Sequence, residues 1–124
     1  MKVELTNLIN ADLEFYLLLF SAISFIFFGI SCFIGPYFKS EFERYGLPQF
    51  RKLTGFLQLV GGLGILFGFF WNPLSMISTA GLSVLMLLGF GVRIKIKDSV
   101  IQSFPSFFYF ALNAFLFLSL IKEF

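Results

Sequence analysis

Three stretches without a charged residue fix most of what this chain can become. Phe15 to Phe38 is a run of 24 uncharged residues, Leu53 to Val92 a run of 40, and Ser99 to Ile121 a run of 23. Crossing about 30 Å of hydrocarbon takes about 20 helical residues at about 1.5 Å each. The first and third runs each supply one span. The middle run is long enough for two, and Trp71-Asn72-Pro73 divides it. Pro73 lacks the N–H that a helix interior needs but suits a first turn, and Trp71 prefers interfacial depth. The expectation is an all-α membrane protein, a single four-transmembrane-helix bundle over residues 1–124. Its helices should cover about 15–38, 53–71, 73–92 and 99–121.

Composition agrees. Charged residues make up 13% of the chain and hydrophobic ones 58%, whereas a soluble domain carries about 25% charge. A cleaved signal peptide is a competing reading of the first run. The run is too long for one, acidic Asp12 and Glu14 precede it, and no small-residue cleavage site follows.

The charges between the runs orient the chain. Four spans put the termini and the Trp71 turn on one face and segments 39–52 and 93–98 on the other. The second face carries Lys39, Arg44, Arg51, Lys52, Arg93, Lys95 and Lys97; the first carries Lys2 and Lys122. The bias predicts cytoplasmic basic loops and both termini outside. Within the first loop, Phe42, Glu41 and Tyr45 fit one turn of an interfacial helix, with Gly46 as its C-cap and Pro48 restarting the chain. The alternating Val92-Arg-Ile-Lys-Ile-Lys-Asp98 reads as a short extended segment, with Asp98 or Ser99 capping the last helix.

Small and polar residues at spacings of three and four mark inward faces. They are Ser21, Ser24, Phe28, Ser31 and Gly35; Gly55, Gln58, Gly62 and Ile65, with Gly64 and Gly68; Ser75, Thr79, Ser83, Met86 and Gly89; and Gln102, Ser106, Tyr109 and Asn113. Pro105 is expected to bend or start the last helix. These stripes read as ordinary packing faces. A sharper reading makes Gln58, Arg93 and Asn113 the lining of a polar pocket, because polar groups within a membrane are costly. Glu43, Arg44 and Tyr45 are candidates for docking a partner or lipid.

Several chemistries are disfavoured by what the chain lacks. It contains no histidine, and Cys32 is its one cysteine. The usual zinc ligands, the commonest general base and an intramolecular disulfide are therefore missing. A net charge of +2 without a basic groove does not suit nucleic acid. No catalytic residue, metal ligand or cofactor is nominated.

Phe42-Glu-Arg-Tyr-Gly-Leu-Pro48, Arg51-Lys-Leu-Thr-Gly-Phe-Leu-Gln-Leu-Val-Gly-Gly62, Gly81 to Met86 and Arg93 to Asp98 resemble the DoxX-like four-helix membrane proteins from about Phe15 to Phe117. Members of that family often place an acid where Gln58 stands and a basic residue near Ser31-Cys32; this chain has neither. The resemblance implies one bundle in a bacterial-type inner membrane. It also implies company, since relatives occur as small subunits beside quinone-linked redox enzymes or as assembly factors. Related bundles that exchange thiols carry paired cysteines, and Cys32 stands alone. The expected function is an accessory or assembly subunit of a larger membrane complex, without catalysis of its own. Its partners would be the bilayer and other membrane subunits or copies of itself. Two alternatives stand beside it: a quinone-binding subunit of a redox enzyme, using Gln58, Tyr45, Arg44 and Arg93, and an oligomeric small-molecule transporter.

Overall fold

In the computed structural model the backbone is described from Lys2 to Glu123 and the side chains from Asp12 to Ile121. Five α-helices follow one another: α1 (Lys2–Ile34), α2 (Pro36–Arg44), α3 (Arg51–Phe67), α4 (Asn72–Lys95) and α5 (Val100–Glu123). A single 3-10 turn, Pro48–Phe50, leads into α3. Among the described residues, four segments are long and apolar enough to cross a membrane: Asp12–Ile34, Pro48–Phe67, Asn72–Lys95 and Val100–Ile121. Their outward faces carry Phe27, Phe56, Ile77, Leu88 and Phe115, all exposed. An apolar surface of that extent is tolerable only against lipid or another protein. The chain is an all-α membrane bundle.

The helix ends follow local chemistry. Pro36 stops α1 at Ile34, four residues before the expected Phe38, because its ring excludes a continuing helix and pushes Gly35 into extended backbone (φ −87°, ψ 136°). Pro36 then opens α2, so the expected single interfacial turn is a nine-residue helix. Gly46 closes α2 at φ +76°, where a side chain would be strained. There the Leu47 and Gly46 N–H groups donate to the carbonyls of Phe42 (3.0 Å) and Glu43 (3.1 Å), a Schellman end.

The loop after α4 differs from its expected extended form. Its helix runs on to Lys95 and ends in the same motif, with Asp98 N–H donating to the Arg93 carbonyl at 2.9 Å and Lys97 at φ +63°. Alternating apolar and basic residues mimic a strand, but a bundle helix keeps its hydrogen bonds as it leaves the membrane. Ser99 then caps α5. The Gln102 N–H donates to Ser99 Oγ (3.2 Å), and the Ser99 N–H donates to Gln102 Oε1 (3.3 Å), a reciprocal capping box. Pro105 is accommodated inside α5.

The spans form a ring in the order α1, α3, α4, α5. Glycine sets the α1–α3 seam. A Cβ on Gly29 would lie 2.8 Å from the Gly55 carbonyl oxygen, one on Gly55 2.7 Å from Cys32 Cβ, and one on Gly62 2.9 Å from the Ala22 carbonyl oxygen. On the other side of α3, Gly61 makes room for Leu82, Gly64 for Ser78 and Gly68 for Ser75. Polar staples hold the α1–α5 seam. Ser21 Oγ donates to Asn113 Oδ1 at 2.9 Å, Asn113 Nδ2 donates to the Tyr109 carbonyl at 2.8 Å, and the Tyr109 hydroxyl donates to Ser24 Oγ at 3.1 Å. Leu18, Ala22, Phe25, Ile65, Leu82, Leu116 and Leu120 fill the centre.

Candidate functional site

The two loops of the charged face close over one end of the bundle. Phe38, Glu41 and Phe42 on α2 and Tyr45 at its C-cap recur at helical spacing, and Phe42 is buried. This turns the acid at position 41 toward Arg93 of α4, while α2 lies as a plate against α1, the 3-10 turn and α3. Arg51, at the start of α3, donates back to the Cys32 carbonyl at the end of α1 (2.7 Å). A cation there satisfies a carbonyl left free by the helix end and complements the helix dipole.

Two arginines and two carboxylates then form a closed ring. Arg44 grips Asp98 with both Nη atoms, at 2.5 and 3.1 Å, across 54 residues of sequence. It also donates to Glu41 through Nη2 (2.7 Å) and Nε (3.3 Å). Arg93 Nη1 reaches Asp98 Oδ2 at 3.1 Å and Glu41 Oε2 at 3.3 Å. The Tyr45 hydroxyl donates to Glu41 Oε2 (3.2 Å), and the guanidinium carbons of Arg44 and Arg93 lie 5.5 and 5.3 Å from the centre of its ring. Bidentate pairing and the aromatic face fix the arginines geometrically as well as electrostatically.

The carboxyls respond accordingly. Hydrogen bonds from Arg44, then from Arg93, outweigh desolvation at Asp98 and hold it below its ordinary range. At Glu41 burial works upward, but the hydrogen bonds and charges of Arg44, with the charge of Arg93, leave it lowered. Asp98, then Glu41, raises Arg44 above its ordinary value, while burial foremost raises Tyr45. The ring is thus ionised and internally neutral, two charges of each sign.

Beneath this ring lies a cavity of about 330 Å³ between α2, α3 and α4. Phe42, Leu53, Leu57 and Met86 wall it, Arg93 and Tyr45 stand at its loop end, and Gln58 lines it from α3. Gln58 is 4% exposed, and its Oε1 is buried without a hydrogen-bond partner. Such an atom costs about 1–3 kcal/mol. Toward the opposite end of the bundle a second cavity, about 590 Å³ and almost wholly apolar, runs between α3 and α4 as far as Phe67 and Leu74. Leu57, Leu85 and Leu88 line both, so the two adjoin.

The structure brings Gln58 and Arg93 together around one cavity. It does not bring Asn113 there: that amide is fully buried on the α1–α5 seam and bonded to Ser21 and Tyr109. Arg44 and Tyr45 belong to the ion ring, whereas Glu43 points outward and is exposed. Sequence reasoning missed Glu41 and Asp98 as the partners of both arginines. The signal was present, since these two acids stand in the two loops that concentrate the chain's basic residues.

Four antiparallel spans, a helical plate over one end and a loop-to-loop ion ring define a small integral membrane bundle. The model of the DoxX-like family matches residues 16–117, and the chain belongs to that family. No curated protein and no solved structure gives a match.

Proposed function

We propose that the chain is an accessory or assembly subunit of a larger membrane complex, recognising its partner through the plate formed by its two charged loops. The observation that carries this reading is the ring that binds Arg44 of one loop to Asp98 of the other. It makes two short loops into one preorganised surface, which lowers the cost of ordering on association. Because the ring neutralises itself, recognition falls to the side chains around it. Lys39, Lys52, Lys95 and Lys97 are exposed there, along with Glu43. Such a rim favours an acidic partner surface close to the headgroups.

Reversing Lys39 and Lys95 to Glu should lower retention of a co-purifying membrane protein on the order of tenfold or more, at about 1 kcal/mol or more per charge. The variant itself should insert and elute as wild type does. Turnover of a quinone by the purified chain alone, lost in Gln58→Ala, would sink the accessory reading and favour the redox alternative.

The same reading puts the plate in the cytoplasm and the termini outside a bacterial-type inner membrane, on the seven-to-two bias of basic residues. In a Cys32→Ser background, cysteine at Asn72 should react with an impermeant maleimide on intact cells. Cysteine at Ser40 should react only after the membrane is opened. The reverse pattern would invert the protein.

A further inference from the structure

We infer that the Gln58 cavity and the adjoining α3–α4 groove form one binding site for a neutral, hydroxyl-bearing amphiphile with a single long chain. Gln58 presents an amide oxygen that neither Thr54 nor Ser106, the hydroxyl residues of the same cavity, partners, and Leu57, Leu85 and Met86 beside it are apolar. A hydroxyl both donates and accepts, so it completes either end of a primary amide. A hydrocarbon leaves the amide unpaired. An anion finds no free counter-charge, because both Glu41 and Asp98 already hold Arg93 at the cavity mouth.

The tail has a place as well. From Leu57 the groove follows α3 to Phe67, ten residues or about 15 Å of helix. Gly61, Gly64 and Gly81 line it, and a Cβ at Gly81 would meet nothing within 4 Å. The polar end of the site is small, near the lower limit of about 300 Å³ for ligand pockets, and suits a compact head rather than a sugar or phosphate ester. The bilayer supplies such molecules directly to the open side of the groove.

The test uses the full chain in phosphatidylcholine nanodiscs with a photoreactive monoacylglycerol as probe. Label should concentrate on peptides carrying Leu57 and Leu85, and unlabelled monoacylglycerol should displace it better than the fatty acid of equal chain length. Gln58→Leu should reduce labelling about fivefold, the weight of one neutral hydrogen bond. The empty variant should unfold at the same or a higher temperature than wild type, since it no longer buries an unpaired oxygen. Three results would overturn the site: label spread evenly over lipid-facing peptides, equal labelling of Gln58→Leu, or a fatty acid competing as well as the monoacylglycerol. The wild-type competition decides the matter without the variant, and neither experiment depends on a protein partner.

Discussion

Leucine in place of Gly62 should destabilise the bundle by about 1–3 kcal/mol or more, the range for overpacking a closely packed interface. A Cβ there already lies 2.9 Å from both the Ala22 carbonyl oxygen and Ile26 Cγ1. Backbone cannot step aside as a side-chain tip can, so α1 and α3 must separate along the seam that Gly29 and Gly55 also set. Gly64→Leu meets Ser78 on α4 and should loosen the opposite side of α3. Gly81→Leu is the control, because nothing lies within 4 Å of its Cβ position. Thermal unfolding in one detergent should rank Gly62→Leu and Gly64→Leu clearly below wild type and Gly81→Leu close to it. Three equal transitions would mean that the glycines do not govern the helix spacing.

Glu41→Gln and Asp98→Asn combined should release the two loops from each other. Both arginines lose the two carboxylates they share, whereas Asp98→Asn alone still leaves Arg93 paired with Glu41 across the loops. Spin labels at Ser40 and Val100, both exposed, should pass from one narrow distance to a broad distribution while the spans stay helical. The same opening should be reachable with acid in the wild-type protein. Asp98 and Glu41 titrate below their ordinary values. Their pairing therefore stabilises the plate at every pH above the unfolded carboxyl value of about 4, and is lost as pH falls through the depressed folded values. The wild-type distance should hold from neutral pH down to about 4 and broaden only below it. A variant with the wild-type distance at pH 7 would show that the ring is not what joins the loops.

The spans were legible because charge is excluded from hydrocarbon whatever the fold, and the turn at Trp71-Pro73 because proline belongs in a first turn. On α3, Gly55, Gln58, Gly62 and Ile65 are all buried, as their spacing predicts. The neighbour that each face meets was not legible. Ser21 and Asn113 carry the same inward signal as Gln58, yet they face one another across a different seam. On α1 the stripe of Ser21, Ser24 and Phe28 omits Gly29 and Cys32, both buried against α3. A helix that touches two partners needs two faces, and one periodicity describes only one of them. The ring escaped for a related reason. Glu41 and Asp98 look like ordinary solvated acids until the fold joins two loops that are remote in sequence.

That remoteness has a consequence for how the protein is made. Arg44 leaves the ribosome 54 residues ahead of Asp98, an interval of several seconds at about 5–20 residues per second. During that time the second and third spans are made, and the first loop exists without the acid that locks it in place. The final span follows Asp98 directly. Closure of the ring therefore reports that the third span has been threaded and the fourth has begun. A partner that reads the finished plate would engage only chains whose synthesis has passed that point, which couples the timing of assembly to the completion of insertion.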